Sequence, residues 1–342
     1  MSSTSSIAEQ VRRFEEFIRV DPAGRGLLST DDVAHPLCAG ELQGAAADLA
    51  QRGKCVAIIT GFFIPGAQIP SAETDGPPGA LLLASALEQL GQTCFVITDE
   101  PCASAVRAAG RAYGFDVGRI LSAPHESSVW VREFFTHGPG RELTHLISIE
   151  RVGPSHTLAS LEAQIRLNPA PIEKFTNEVP LDERDRCHNM RGLIIDEFTA
   201  DLHRLFDALP QYRPSAKSIG IGDGGNEIGM GKIPWEELAR RLPGATAPLI
   251  PCRVSADWNI LAGTSNWGAF ALAAATLLHV GRMEFLQPWD SEHQRKVLEI
   301  MVAEGPAVDG VTRLPQATVD GLPLLTYLQP WQGIRRILGL DP

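Results

Sequence analysis

The stretch "KSIGIGDGGNEIGMGK" (residues 217–232) begins as a short apolar run and continues into a glycine-rich loop that carries Asp223 and Glu227. A short apolar run of this kind is typical of a strand buried on both faces of a parallel sheet. Three other runs have the same character: "KCVAIITGF" (54–62), "TCFVITD" (93–99) and "LTHLISIE" (143–150). We therefore predict that the four runs are strands of one sheet.

Helix-like segments lie between these runs. "PPGALLLASALEQLG" (77–91) starts with proline and ends with glycine, which is the usual asymmetry of helix ends. "CASAVRAAGRAYG" (102–114) and "DEFTADLHRLFDAL" (196–209) follow the same pattern. Strands alternating with helices imply right-handed crossovers and a mostly parallel sheet with helices on both faces. The sequence predicts a three-layer, doubly wound α/β fold with its active site at the carboxyl ends of the strands.

The composition is that of a globular protein with a large core, since 44% of the 342 residues are hydrophobic and 21% are charged. We expect a single α/β domain over residues 1–342. Residues 153–191 have no clear period and are rich in proline, asparagine and charge. An irregular segment of this length predicts a lid or wall over the site.

The charge of the chain argues against nucleic acid as a partner. The formal net charge is -11, whereas binding to a phosphate backbone is driven by basic surface. No apolar run approaches the ~20 residues needed to cross a bilayer, so no membrane is expected. The polar start "MSSTSSIAEQ" lacks the order of a secretion signal, which favours a cytoplasmic location. We expect a small-molecule partner, and a homo-oligomer remains open.

Acidic side chains follow all four predicted strands, at the edge where ligands bind in such folds. They are Glu73 and Asp75 after the first, Asp99 and Glu100 after the second, Glu150 after the third, and Asp223 and Glu227 after the fourth. One explanation for any single residue is that it complements a helix N-terminus, a contribution of roughly 0.3–1 kcal/mol. Carboxylates at four strand ends together favour a functional cluster.

The glycine loop does not fit a phosphate site. Gly220, Gly222 and Gly225 satisfy GxGxxG, but Asp223 and Glu227 would repel a pyrophosphate, and no acidic strand end follows about 20 residues later. The Walker pattern also fails, so we expect no nucleotide cofactor. Acidic groups combined with free backbone amides suit a ligand with positive and negative ends, such as an amino acid. The alternative is a tight turn whose carboxylates only cap the next helix.

Several motifs carry a family resemblance: "GDGGNEIGMGK", "ETDGPPGALLL", "VITDE", "NMRG", "ADWNILAGTSNWGAFALA" and the late "VDGVT" and "TVDGLP". Together they resemble the D-glutamate cyclase family, whose members convert D-glutamate to 5-oxo-D-proline and water. The resemblance runs from about residue 36 to residue 323. It departs at "ERVGPS", where the family tends to have ERPGR, so an expected substrate-binding arginine is missing. Arg191 is a candidate to replace it.

The loop and the resemblance together predict the site residues. The predicted catalytic residues are Asp75, Glu150, Asp223 and Glu227. The predicted substrate-binding residues are Thr74, Gly76, Arg151, Asn189, Arg191, Gly224, Gly225, Asn226, Lys232, Asp257, Asn259, Ser265 and Asn266. Either Ser265 or Asn266 is also placed to cap the helix that follows.

Lactam closure needs an amine in its free-base form and a stabilised tetrahedral oxyanion. Clustered carboxylates raise one another's pKa and so provide a base. The backbone N–H groups of Gly224 and Gly225 could hold the oxyanion. A divalent cation on Asp223, Glu227 and Asp257 is the alternative, and such ligands favour Mg²⁺, Mn²⁺ or Ca²⁺ over zinc.

Two other functions remain open from sequence. Acidic strand ends with a divalent cation also suit a metal-dependent phosphohydrolase. A non-catalytic amino-acid or metal-binding protein is the third alternative. Trp267 fits either an apolar wall of the site or the core, and the two Val-Asp-Gly turns at Asp309 and Asp320 are predicted to be structural.

Overall fold

The computed structural model describes residues 6–28 and 36–341. Its centre is a six-stranded parallel sheet with the order β5-β4-β1-β6-β7-β8. Those strands are β1 (Cys55–Thr60), β4 (Thr93–Asp99), β5 (Ile120–Ala123), β6 (His145–Ile149), β7 (Lys217–Gly222) and β8 (Trp258–Leu261). A small antiparallel pair, β2 (Phe63–Ile64) and β3 (Ser71–Ala72), lies outside the sheet. The four predicted strands and the parallel α/β fold are confirmed.

Helices cover both faces of the sheet. One face carries α1 (Ile7–Ile18), α2 (Glu41–Arg52), α3 (Pro77–Gln89), α4 (Ala103–Tyr113), α10 (Ser265–Val280), α11 (Ser291–Glu304) and α12 (Leu324–Ile337). The other face carries α5 (Ser128–Thr136), α8 (Arg204–Tyr212) and α9 (Trp235–Arg241). The short α6 (Leu158–Ala163) and α7 (Ile172–Glu178) form a separate small cluster against Trp235.

Alternation along each strand divides the core into two layers. In β1, Val56 and Ile58 pack with the first group of helices, while Ala57 and Ile59 pack with the second. Because successive side chains of a strand point to opposite faces, a central strand with helices on both sides must be apolar throughout. Helix α10 is buried along most of its length, which explains its lack of a polar face.

The strand order places a crevice at the centre of the sheet. The chain runs outward from β1 to β4 and β5, then returns to β6 and continues outward on the other side through β7 and β8. The order therefore reverses between β1 and β6, and open α/β sheets bind ligands at such a switch point, beyond the carboxyl ends of the strands. This is the edge where the sequence predicts the acidic residues to lie.

Two predicted segments differ in detail. Of "DEFTADLHRLFDAL", only the second half is α-helical, and its start is a 3₁₀ turn (Asp196–Phe198). Residues 153–191, predicted to be irregular, contain α6 and α7. Within the described ranges, no helix combines the length and apolar character that a membrane span requires.

Candidate active site

The N-termini of α3 and α10 lie side by side, joined by Asp75 and Asn266. The Asp75 carboxylate accepts hydrogen bonds from the backbone N–H groups of Ser265 (2.9 Å) and Asn266 (2.9 Å). It accepts another from Gly76 (3.0 Å), directly before α3. The side-chain oxygen of Asn266 accepts from Gly76 (3.1 Å) and Gly79 (2.8 Å). These bonds satisfy helix-terminal N–H groups that otherwise have no partner, and they fix Asp75 in place.

Glu227 organises the glycine loop from within. Its carboxylate accepts hydrogen bonds from the backbone N–H groups of Gly224 (2.6 Å) and Gly225 (2.7 Å). It also accepts one from Asp223 (3.2 Å). The amides of Gly224 and Gly225, predicted as oxyanion or substrate donors, are therefore already used by the protein. This is a correction: the loop is shaped by its own carboxylate.

Glu150 and Asp223 meet Asp75 at the switch point. One oxygen from each of the three carboxylates lies within 4.8 Å of the other two, and all three residues are buried. Ser265 donates its hydroxyl to Glu150 (2.5 Å). Glu150 has a φ of +49°, an unusual conformation for a non-glycine residue directly after a strand. Thr264, and neither Ser265 nor Asn266, is the N-cap of α10, which leaves the Ser265 hydroxyl to bind Glu150.

Three residues outside the predicted site complete the cluster. The Arg25 guanidinium forms ion pairs with both Asp223 and Asp320. Glu73 is buried at the same place, and one of its carboxylate oxygens has no hydrogen-bond partner among the described residues. No local pattern distinguishes Arg25, which precedes the first predicted strand by a long stretch of chain.

The two Val-Asp-Gly turns have different roles. The Asp309 carboxylate accepts from the backbone N–H groups of Val311 (2.9 Å) and Gly321 (2.8 Å), so it holds the two turns together, as predicted for a structural residue. Asp320, predicted to be structural as well, is instead buried beside Arg25. The only signal for Asp320 in the sequence is that the Val-Asp-Gly motif occurs twice. In the structure the first copy, through Asp309, holds the turn that carries Asp320.

Burial raises the pKa of the clustered carboxyl groups. The pKa of Asp75 is raised to about 7 by burial and by the nearby charge of Asp320. The pKa of Glu150 is raised well above its usual range by burial, and further by Glu227 and Asp75. Burial also raises the pKa of Glu73, Glu227 and Asp320. Buried carboxyl groups with raised pKa values suit acid–base chemistry.

A cavity of about 270 Å³ opens onto this cluster. Its acidic lining consists of Glu73, Glu150 and Asp320, with Arg25 beside them. The other lining residues include Phe62, Phe63, Asn189, Met190, Arg191, Asn226 and Arg313. The cavity lining thus combines three carboxyl groups with three arginines, which suits a ligand with an ammonium and carboxylates.

The last residues of the predicted lid segment, Asn189 to Arg191, form part of the cavity wall. Asn189 lines the cavity and uses its side-chain oxygen in the turn, accepting from the backbone N–H of Arg191 (2.9 Å). Asn226 lines the same wall and donates its amide to the carbonyl of His188 (2.8 Å). The rest of residues 153–191 contributes no cavity-lining residue.

Other predicted residues lie elsewhere. Arg151 is buried in an ion pair with Asp99 (2.6 Å) and donates to the carbonyl of Gly61 (2.8 Å), so it supports the strand ends. Thr74 donates its hydroxyl to the carbonyl of Thr318 (2.6 Å). Both are structural contacts outside the cavity lining, which corrects their predicted role as substrate ligands.

Asp257, Lys232 and Asn259 are not at the carboxyl ends of the strands. Asp257 directly precedes β8 and pairs with Lys217 at the start of β7 (2.8 Å). At roughly 3.3 Å per residue, that is about 20 Å from the Asp223 end of β7. Lys232 donates to the Asp257 carbonyl (2.5 Å), and Asn259 lies within β8. The sequence does not separate Asp257 from the site, because the strand that it precedes, β8, has only four residues and no apolar run that stands out.

The carboxylates at the switch point fit a divalent cation in their chemistry. Asp75, Glu150 and Asp223 each offer an oxygen, and the second oxygen of Asp223 is buried with no hydrogen-bond partner in residues 6–28 and 36–341. Hard oxygen donors of this kind suit Mg²⁺, Mn²⁺ or Ca²⁺. Of the predicted ligand set, only Asp223 belongs to this group of three, and Asp257 is remote from it.

The fold and the site together define the class of this protein: it is a doubly wound α/β protein with a buried carboxylate cluster and a guanidinium at the switch point of the sheet. The family model described as "D-glutamate cyclase-like, C-terminal" matches residues 14–164 and 176–334. The chain therefore belongs to the D-glutamate cyclase-like family. It is 30% identical over 276 residues to the mitochondrial D-glutamate cyclase of Homo sapiens, a match that covers 79% of this chain. The matched region is 39% of the length of that human protein.

Proposed function

We propose that this protein is an enzyme that converts D-glutamate to 5-oxo-D-proline and water. The observation that carries the proposal is a cavity whose lining combines Glu73, Glu150 and Asp320 with the arginines Arg25, Arg191 and Arg313. The family membership and the name of the human relative support D-glutamate as the substrate. Glutamate has one ammonium for the carboxylates and two carboxylates for basic groups.

Substrate orientation follows from charge. The ammonium binds on the acidic side, next to Glu150, because carboxylates in a buried site attract a cation strongly. The α-carboxylate, which does not react, then points toward Arg191 and Arg313. This leaves the γ-carboxylate beside the amine, as ring closure requires.

The reaction balances without an external acid or base. The ammonium nitrogen loses two protons, the N–C bond forms, a C–O bond of the γ-carboxyl breaks, and the departing oxygen takes both protons as water. Glu150 is suited to carry them, since its pKa is raised and one of its oxygens is fixed by Ser265. A divalent cation on Asp75, Glu150 and Asp223 would supply additional charge stabilisation if bound.

The direct test is incubation of purified protein with D-glutamate and, separately, L-glutamate. Formation of 5-oxoproline is followed by chiral chromatography, with added Mg²⁺ or Mn²⁺ and with a chelator. We expect 5-oxo-D-proline from D-glutamate and much less product from the L-enantiomer. No product under any of these conditions would refute the proposal.

The same preparation separates the two alternatives. Hydrolysis of p-nitrophenyl phosphate would favour a phosphohydrolase, and a rise in melting temperature with D-glutamate but without turnover would favour a binding protein. The cytoplasmic location and the oligomeric state stay predictions, tested by fractionation of cells and by light scattering.

A further inference from the structure

Arg25 reaches the carboxylate cluster from outside the α/β sheet. It lies in the segment between α1 and α2, and its guanidinium pairs with Asp223 after β7 and Asp320 in the second Val-Asp-Gly turn. The side chains of Asp223 and Asp320 are fully buried, and that of Arg25 is 15% exposed. A guanidinium held by two buried carboxylates stays charged, and burying those acids without it would be costly.

The backbone around Arg25 is built to hold it in position. The Asp21 carboxylate accepts hydrogen bonds from the backbone N–H groups of Arg25 (2.9 Å) and Gly26 (2.8 Å). Gly26 has a φ of +95°, and a Cβ there would lie 2.3 Å from the carbonyl oxygen of Arg241. Arg241 in turn donates to the carbonyl of Leu27 (3.0 Å). The loop is therefore fixed to the end of α9, and Arg25 is preorganised.

We propose that Arg25 binds the γ-carboxylate of the substrate, the group that is attacked, and stabilises the oxyanion that forms on it. This inference rests on the proposed function. Among the described residues, Arg25 is the basic group that contacts the clustered carboxylates and also lines the cavity. A substrate carboxylate placed there without it would face Glu73, Glu150 and Asp320.

The Arg25 guanidinium has N–H donors beyond those used in its two ion pairs, and these can bind a substrate carboxylate. A guanidinium carries five N–H donors, and the ion pairs with Asp223 and Asp320 each engage one of its terminal nitrogens. The remaining donors can bind a carboxylate oxygen in the ground state. As the amine adds to the γ-carbon, negative charge concentrates on the carboxyl oxygens, and a fixed guanidinium stabilises that charge without reorganising.

The test compares two ligands that differ only at the γ-position. Melting temperatures of wild-type protein are titrated with excess D-glutamate and with excess D-glutamine, whose γ-group is an uncharged amide. The same titrations are made on Arg25→Gln and Arg25→Lys, and on Arg12→Gln as a control, since Arg12 is an exposed arginine of α1 with only local ion pairs. Steady-state kcat and KM for 5-oxoproline formation are measured in parallel.

We expect Arg25→Gln to lose at least about tenfold in D-glutamate affinity and about 10²-fold or more in kcat, with D-glutamine binding changed by less than about threefold. Arg25→Lys should recover part of the D-glutamate preference, because it restores the charge but not the planar fork. Equal weakening of both ligands in Arg25→Gln, or unchanged D-glutamate binding, would overturn the proposal. So would a wild-type protein that binds the two ligands equally.

A second variant covers the case in which Arg25→Gln does not fold. Gly26→Ala leaves Arg25 itself unchanged but displaces the loop that carries it, because the new Cβ meets the Arg241 carbonyl. It should lower the D-glutamate preference in the same direction, and an unchanged preference would count against the proposal. If wild-type protein makes no 5-oxoproline yet shows the Arg25-dependent preference, the proposed reaction is wrong and the carboxylate-binding role of Arg25 stands.

Discussion

Glu150 both lines the cavity and has the raised pKa that proton transfer requires. It directly follows β6. We predict that Glu150→Gln lowers kcat for 5-oxoproline formation by about 10²–10⁴-fold, since a positioned general acid–base contributes about that factor. The measurement is steady-state kinetics with D-glutamate at neutral pH.

The variant keeps the shape and the hydrogen bond from Ser265, so its melting temperature should stay at or above that of the wild type. Glu162→Gln is the matched control, because Glu162 is an exposed glutamate of α6 far from the cavity lining. Retention of wild-type kcat in Glu150→Gln would assign the proton transfer to another group, with Glu73 next in line.

For Asp257, in contrast to Glu150, we predict that substitution affects stability and not turnover. Its carboxylate accepts from Lys217 (2.8 Å) and from the backbone N–H of Ser218 (2.8 Å), at the amino ends of the strands. We predict that Asp257→Asn leaves kcat and KM unchanged and lowers the free energy of unfolding by about 1 kcal/mol, the usual net value of such a hydrogen bond. Urea unfolding and the activity assay check both parts, and a loss of turnover would restore Asp257 to the site.

A site residue could be predicted from the sequence where its neighbours in the chain indicate its role. Glu150 and Asp223 directly follow strands, and parallel strands end at one edge, so the sequence was sufficient to predict that they lie together. Asp75 lies in the connection that follows β1, just before α3, and reaches the same edge. Arg25 was not predictable, because its role depends on an ion pair across 198 positions of the chain. The Gly224 and Gly225 amides were assigned to a ligand because sequence does not show that Glu227 folds back onto them.

At the scale of elements, the contact between α3 and α10 positions the site. A Cβ at Gly79 would lie 2.7 Å from the Cβ of Ala269 and 3.0 Å from the Cα of Asn266. We predict that Gly79→Ala pushes the two helix starts apart and lowers the free energy of unfolding by about 1–3 kcal/mol, as overpacking does. Turnover should fall as well, since Asp75 is held by the start of α10.

Chemical denaturation and kinetics measure the two effects of Gly79→Ala. Gly118→Ala is the control, because a Cβ at Gly118 meets only the exposed side chain of Asp116, at 3.1 Å. If Gly79→Ala has the same free energy of unfolding as the wild type, the two helices can move apart without loss of stability. The close contact between α3 and α10 would then not be what holds Asp75 in position.

Within the six-stranded sheet, the strands that the sequence did not predict are the two edges, β5 and β8. Each has four residues, too few for a continuous apolar run that stands out, and short edge strands are common. The predicted helix over 196–209 lost its first half for a tertiary reason. The side chains of Asp196 and Asp201 accept hydrogen bonds from the backbone N–H groups of Cys187 and Ser127, both 2.7 Å, and so hold the chain in turns.

At the scale of the whole molecule, the clustered carboxyl groups link stability to pH. Unfolded Asp and Glu have pKa values of about 4, whereas burial raises the pKa of Asp75 to about 7 and also raises those of Glu73, Glu150, Glu227 and Asp320. The folded protein therefore retains protons that the unfolded chain releases. The stability from Asp75 is fully present below about pH 4 and is lost as the pH rises through about 7, and the other raised pKa values act in the same direction.

We predict that the melting temperature falls between pH 5 and pH 8, and that Glu150→Gln, which removes one titrating group, makes the fall shallower. Asp257→Asn should keep the wild-type slope in this window, because although burial raises the pKa of Asp257, its hydrogen bonds lower it overall, so it titrates only in more acidic solution. Differential scanning calorimetry of the three proteins at constant ionic strength provides the comparison. A melting temperature that rises from pH 5 to pH 8 would show that the folded cluster does not retain protons in this range. Equal slopes in wild type and Glu150→Gln would show that Glu150 does not titrate there.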